Sequence, residues 1–179
     1  MKQVKNKVVA GIATVLVALG GGYYMTQEAY DQGKEFEGYS ATAYPDVVYG
    51  WKLPTICYGH TKGVYQGQVA TPEQCEGWYK EDMAEGQAIV RKALGDDLFN
   101  SLTQGEKDGY GMFAHNTGYF KHQRNGNLTG MYRRLMDGDR IGACGVLLAY
   151  KYGNGVPLRG LERRRMYEYE RCYSDLEVE

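Results

Sequence analysis

The feature that most constrains this chain is the segment that opens with Thr71-Pro72-Glu73-Gln74 and runs without proline to Gly95. Threonine caps a helix through its hydroxyl, proline pre-sets the first helical residue, and glutamine at the third position reaches back to the cap. Glycine closes a helix at the other end. These signals predict a helix over 72–94, with Cys75, Trp78, Tyr79, Ala88 and Leu94 among its apolar positions. At about 1.5 Å per residue it is about 35 Å long, enough to serve as a spine between two lobes. Thr103 to Glu106 repeats the capping signature ahead of Tyr110, Phe113 and Asn116-Thr117-Gly118. Gly105, Gly109 and Gly111 would each cost about 1 kcal/mol in an exposed helix, so close backbone packing is expected there.

Further along, residues 119–127 are polar and loop-like. Leu128 to Met136 and Ile141 to Tyr152 read as short helices on either side of Asp137-Gly138-Asp139. A closing helix begins near Gly160 and holds Arg163-Arg164-Arg165 among Glu162, Glu168 and Glu170, which reads as a solvated, ion-paired face. His115 and His122 are seven apart, a spacing that suits ordinary hydrogen bonding better than a metal site.

At the N-terminus, Lys2, Lys5 and Lys7 precede Val8 to Met25, eighteen residues without a charge. Gly11, Gly20, Gly21 and Gly22 make this stretch weakly apolar for a membrane helix. It reads as a cleaved signal peptide, with Ala18-Leu19-Gly20 a passable cleavage site, as a permanent anchor, or as something between. The lysines orient it with the N-terminus inside and the remaining chain outside. With a formal net charge of −1, bulk electrostatics give no case for nucleic acid. Four cysteines, Cys57, Cys75, Cys144 and Cys172, allow three pairings or four buried thiols. The sequential pairing, Cys57 to Cys75 and Cys144 to Cys172, is preferred because each pair spans one candidate substructure. The absence of a C-x-x-C pair and of a histidine at ligand spacing argues against zinc.

The chemistry concentrates between Glu37 and Thr61, EGYSATAYPDVVYGWKLPTICYGHT. Glu37 closes an amphipathic run that buries Ala29, Tyr30, Gly33 and Phe36, and Gly38 marks its C-terminus. A carboxyl at that pole of a helix is expected to have a raised pKa and to keep its proton, as a general acid requires. Asp46 should stand at the mouth of a hairpin with strands Val47–Tyr49 and Thr55–Tyr58, joined through residues 50–54 with Trp51 exposed. That would set Thr55 beside Asp46. A protonated acid facing a carboxylate and a hydroxyl that share a water is the minimal apparatus for cleaving an acetal by inversion.

The run E-G-x7-D followed by T-I-C-Y-G-H-T resembles the active-site segment of the phage-type lysozymes, the endolysins with which bacteriophages open the host wall. Two later stretches match in order: F-x-x-N-x-G, here Phe113 to Gly118, and G-L-x-x-R-R-x-x-E, here Gly160 to Glu168. The resemblance implies an α+β lysozyme-like fold, a small β-hairpin lobe and a larger helical lobe joined by a long helix. It implies Glu37 as general acid, with Asp46 and Thr55 holding the attacking water. His60 matches a structural histidine that ties down the hairpin lobe, and Tyr58, Phe113 and Asn116 would border the substrate. One departure is visible: eight residues separate Asp46 from Thr55, more than the family usually has. Thr61 is a second nearby hydroxyl.

The N-terminal stretch resembles the signal-anchor-release segment of certain endolysins. Such a segment exports the enzyme, holds it on the inner membrane facing the periplasm, and later leaves the bilayer intact. The chain then divides into an anchor helix within residues 1–25, an N-terminal lobe over 26–70, and a linking helix with the C-terminal lobe over 71–179. The expected activity is hydrolysis of the bond between N-acetylmuramic acid and N-acetylglucosamine, with no metal or organic cofactor, and held back while the enzyme is tethered. Its partners would be peptidoglycan glycan strands and, before release, the inner membrane through residues 8–25; nucleic acid is not among them, and the enzyme is expected to be a monomer. A lytic transglycosylase, or a non-catalytic wall-binding protein on the same fold, is the alternative.

Overall fold

The computed structural model describes residues 14–153 and 155–176. A hairpin of β1 (Leu16–Gly20) and β2 (Tyr23–Thr26) leads directly into α1 (Gln27–Glu37). A second hairpin, β3 (Ser40–Asp46) with β4 (Gly50–Cys57), forms the small lobe. The spine is α2 (Pro72–Leu94), followed by α3 (Asp96–Ser101) and α4 (Gln104–Thr117). Beyond these lie α5 (Gly130–Met136), α6 (Arg140–Val146), a 3₁₀ turn at Leu147–Ala149, a two-residue ribbon of β5 (Tyr152–Gly153) and β6 (Val156–Pro157), and α7 (Arg159–Ser174).

Both capping boxes form as the sequence predicts. Thr71 and Gln74 exchange bonds at the start of α2, and Thr103 and Glu106 do the same for α4. Along α2, Cys75 packs into the small-lobe cluster with Ala43 and Ile56. Tyr79 and Met83 join a middle cluster with Tyr30 and Met112, and Val90 enters the large C-terminal cluster around Phe113 and Leu147. One helix thus contributes to all three cores, which makes it the structural link between the lobes. The glycines of α4 work by close approach: a β-carbon at Gly109 would stand 2.6 Å from the Glu168 carbonyl oxygen on α7. Disulfides join Cys57 to Cys75 and Cys144 to Cys172.

Three elements differ from expectation. The apolar N-terminal stretch is not an anchor helix over its described part but the β1–β2 hairpin; its residues 8–13 lie outside the described ones. Gly20, Gly21 and Gly22 all take positive φ, 102°, 59° and 81°, a turn only glycine makes easily and incompatible with a helix through that point. Leu19 and Met25 are buried with Ala29, Tyr30 and Met112. Among the described residues no helix is long and apolar enough to cross a membrane.

The catalytic-lobe hairpin has its strands at 40–46 and 50–57, and Val47 to Tyr49, expected as strand, form the turn. Asp46 causes this locally, because its Oδ1 accepts from the Val48 and Tyr49 amides at 2.8 Å each and so closes the chain on itself. The third difference lies in α7, where Arg164 and Arg165 are buried rather than solvated, and Glu168 beside them is fully enclosed.

Candidate active site

Glu37 is the last residue of α1, and Gly38 follows with φ 71°. Its Oε1 lies 2.7 Å from Arg164 Nη2 and 3.5 Å from His115 Nε2, three side chains from α1, α7 and α4. Neither contact has hydrogen-bond alignment, so the first is an ion-pair approach and the second a close approach of the ring to a buried oxygen. Oε2 points toward Gly59, where a β-carbon would stand 3.4 Å away. Arg164 is itself fixed by Glu168, whose Oε1 accepts from Arg164 Nε at 3.2 Å. Arg165 bonds Glu168 and the Asn116 side-chain oxygen.

This electrostatic setting reverses one expectation. Burial pushes the Glu37 carboxyl up, but the approach of His115 and the charge of Arg164 outweigh it and hold the group down at about 2. The helix terminus, which alone would favour the proton, is the weaker influence because Arg164 brings a full charge within contact distance.

Asp46 sits at the end of β3. The two amides it caps hold its carboxyl below the usual range, so it is ionised at neutral pH. In the hairpin register Thr55 lies opposite Tyr44, Pro45 opposite Pro54, and Asp46 opposite Gly50. The extra residues between Asp46 and Thr55 are therefore absorbed as a bulge at 51–53, with Trp51 exposed, and a second register irregularity lies lower in the hairpin between Ser40 and Tyr44. Thr55 is a diagonal neighbour of Asp46, not its direct partner. Its hydroxyl donates to the Leu53 carbonyl at 3.4 Å. Tyr44 shares a strand face with Asp46. Burial, then the charges of Glu37 and Asp46, push its phenol up, so both carboxylates lie within its electrostatic reach.

The remaining predicted residues separate clearly. His60 Nδ1 meets Asp82 of α2 at 2.9 Å and Nε2 meets the Lys62 carbonyl at 3.0 Å, while the ring stacks on Trp78 at 4.9 Å. It thereby fastens the hairpin lobe to the spine. Tyr58 is half-buried between Tyr39 and Tyr79. Phe113 is fully buried against Tyr119, Tyr150 and the Arg165 guanidinium, so it is a core residue and not a substrate contact. It lies on the inner face of α4, whereas Asn116, one turn on, is exposed.

A hollow of about 640 Å³ adjoins Glu37 on the helical-lobe side, lined by Asn116, Leu158, Leu161 and Arg164 among others. Asp46 and Thr55 do not line it. A neighbouring hollow of about 630 Å³ around Phe36, Leu148 and Met166 contains none of these groups. Two residues of the site escaped sequence reading, Arg164 and His115. The i,i+4 pairing of Arg164 with Glu168 was a usable signal for the first, and nothing local marks the second.

A strand lobe and a helical lobe meeting along one helix, with a carboxylate clamped by arginine at their junction, define a lysozyme-type glycoside hydrolase. The chain belongs to the phage lysozyme family, whose model matches residues 34–168. It is 28% identical over 163 residues to a SAR-endolysin of Enterobacteria phage PA-2, covering 88% of this chain and 92% of that one. A SAR-endolysin of Pseudomonas phage phiKMV is 31% identical over 140 residues, 76% of this chain and 80% of the relative. In fold, the chain resembles the active form of the P1 phage endolysin Lyz with a TM-score of 0.73 at 22% identity, over 87% of this chain and 88% of that chain.

Proposed function

We propose that this chain is an endolysin that hydrolyses the β-1,4 bond between N-acetylmuramic acid and N-acetylglucosamine in peptidoglycan, with inversion at the anomeric carbon. The observation that carries the reading is Glu37, held at the lobe junction by Arg164 while its second oxygen faces the hairpin lobe at Gly59. In this scheme the protonated Glu37 gives its proton to the glycosidic oxygen as the C–O bond breaks. Ionised Asp46 orients a water, with Thr55 as its second partner, and takes the proton that water sheds as it bonds to the anomeric carbon. Asn116 contacts the glycan from the helical side, and Tyr58 supports the hairpin face.

The N-terminal segment supplies control. In a bilayer, residues 8–25 have to satisfy their backbone as a helix, since no water is available to do so. Leu19 and Met25 are then withdrawn from the core around Tyr30 and Met112. Thr26, which caps α1 and bonds Asp108 through its amide and its hydroxyl, the latter at 2.7 Å, loses its support at the same time. The helix that carries Glu37 is therefore incompletely braced while the chain is tethered on the periplasmic face. Release into the periplasm allows the hairpin to form and the site to settle.

Proton NMR of freshly cleaved glycan tests the chemistry: the α anomer at the new reducing end is expected, and the β anomer contradicts inversion. For control, equal cleavage rates by vesicle-tethered and released protein would overturn the bracing scheme.

A further inference from the structure

Glu37 presents a difficulty for an acid catalyst, because the Arg164 guanidinium and the His115 ring converge on its buried oxygen and the guanidinium charge favours the ionised form. Arg164 cannot relieve this, since a guanidinium does not give up its proton. His115 can. Its Nε2 is 3.5 Å from Glu37 Oε1, and both side chains are largely enclosed, 16% and 18% exposed. Its position is enforced from behind, where α4 approaches α2 so closely that a β-carbon at Gly86 would meet the His115 backbone nitrogen at 3.1 Å. The charged and titratable groups around the ring are Glu37 from α1, Arg164 from α7, which shares Oε1 of Glu37 with it, and, edge-on at 6.4 Å between ring centres, Tyr79 from α2.

We infer that His115 and Glu37 form a dyad that holds one proton, with His115 acting through Glu37 as the residue that supplies it. The inference rests on Glu37 being the general acid. In the free enzyme the proton stays on the imidazole and Glu37 is ionised against Arg164. When glycan fills the cleft and displaces water, the separated charges become costlier, Nε2 and Oε1 close from 3.5 Å into an aligned hydrogen bond, and the proton passes from Nε2 to the carboxylate. The Nε2–H bond breaks as the Glu37 O–H bond forms, leaving a neutral ring and a neutral acid. Because Oε1 is buried, the carboxyl turns about its Cγ–Cδ bond to bring that proton to the side that faces Gly59 and delivers it to the leaving oxygen, and the imidazole recovers one from solvent.

The test is the pH dependence of kcat on purified peptidoglycan for wild type, His115→Gln and His115→Phe. Wild type should lose activity on the alkaline side as the dyad loses its single proton. In both variants that limb should move to lower pH, toward a lone carboxylic acid, with kcat at pH 7 down about tenfold or more and KM little changed. A wild-type alkaline limb in the variants, or an equal loss at every pH, would overturn the proposal. If the variants fail to fold, NMR titration of the His115 ring in wild type and Glu37→Gln decides. Its midpoint should fall by about one pH unit or more when the carboxylate is removed, and an unchanged midpoint overturns the dyad. Full activity of Glu37→Gln would instead sink the assignment of the acid itself.

Discussion

Glu37 lies between opposing influences, and the balance reaches beyond catalysis. Its carboxyl is lowered from 4.5 to about 2 in the folded chain. A folded value below the unfolded one adds stability above about pH 4.5, which is lost as pH falls toward 2. The shift corresponds to about 3 kcal/mol. Unfolding free energies measured by urea between pH 6 and 2.5 should therefore fall more steeply for wild type than for Glu37→Gln; identical slopes would contradict the ion pairing. Arg164→Met should be more damaging than either. It leaves Glu37 without its guanidinium and Glu168 with only Arg165, and a broken buried charge cluster typically costs about 3–5 kcal/mol in the same assay.

At the scale of elements, α1 is the part through which the N-terminal hairpin can influence the cleft. The hairpin ends at Thr26, the first residue of α1 follows directly, and Glu37 is its last. Met25→Ala should cost about 2–5 kcal/mol by emptying a fully buried site in the middle core. Gly109→Ala is expected to cost at least about 1–3 kcal/mol, because the new β-carbon meets α7 backbone at 2.6 Å and the two helices have to part. Thermal unfolding compared with wild type checks both.

These same elements explain what was legible beforehand. Thr71, Gln74, Thr103 and Glu106 act on their own helix ends, so α2 and α4 could be placed from local chemistry alone. The strands around Asp46 lie elsewhere because its side chain caps its own turn, a local contact, and because residues 51–53 bulge, which pairing across the hairpin decides. Arg164 and Arg165 sit among so many charges that helical patterning assigns them to solvent. Only the arrival of Glu37 and Asn116 from other helices makes their burial favourable. Phe113 went the other way, placed at the cleft by its motif yet pointing into the core. The N-terminal stretch is apolar enough in composition to suggest a membrane helix, while its described part pairs as a hairpin whose turn depends on Gly20 to Gly22.

For the whole molecule, the two disulfides serve the two lobes separately. Cys57–Cys75 joins the end of β4 to the start of the spine, and Cys144–Cys172 fastens α6 to α7. Closing loops of 18 and 28 residues, each should contribute about 3–4 kcal/mol by restricting the unfolded chain. Unfolding midpoints of Cys57→Ser/Cys75→Ser and Cys144→Ser/Cys172→Ser should fall independently and nearly additively, since the bridges share no core cluster.

Under the proposed mechanism the lobes matter because the acid, Glu37, ends α1 while the water-binding pair, Asp46 and Thr55, belongs to the hairpin. The most direct measurement of that division is mass analysis of soluble muropeptides released from purified peptidoglycan by wild type and by Glu37→Gln. Products with hydrated reducing ends from wild type, and none from the variant, are predicted. Anhydro-muramic ends would instead assign a transglycosylase that bypasses Asp46 and Thr55, and undiminished release by Glu37→Gln would contradict the account of the site.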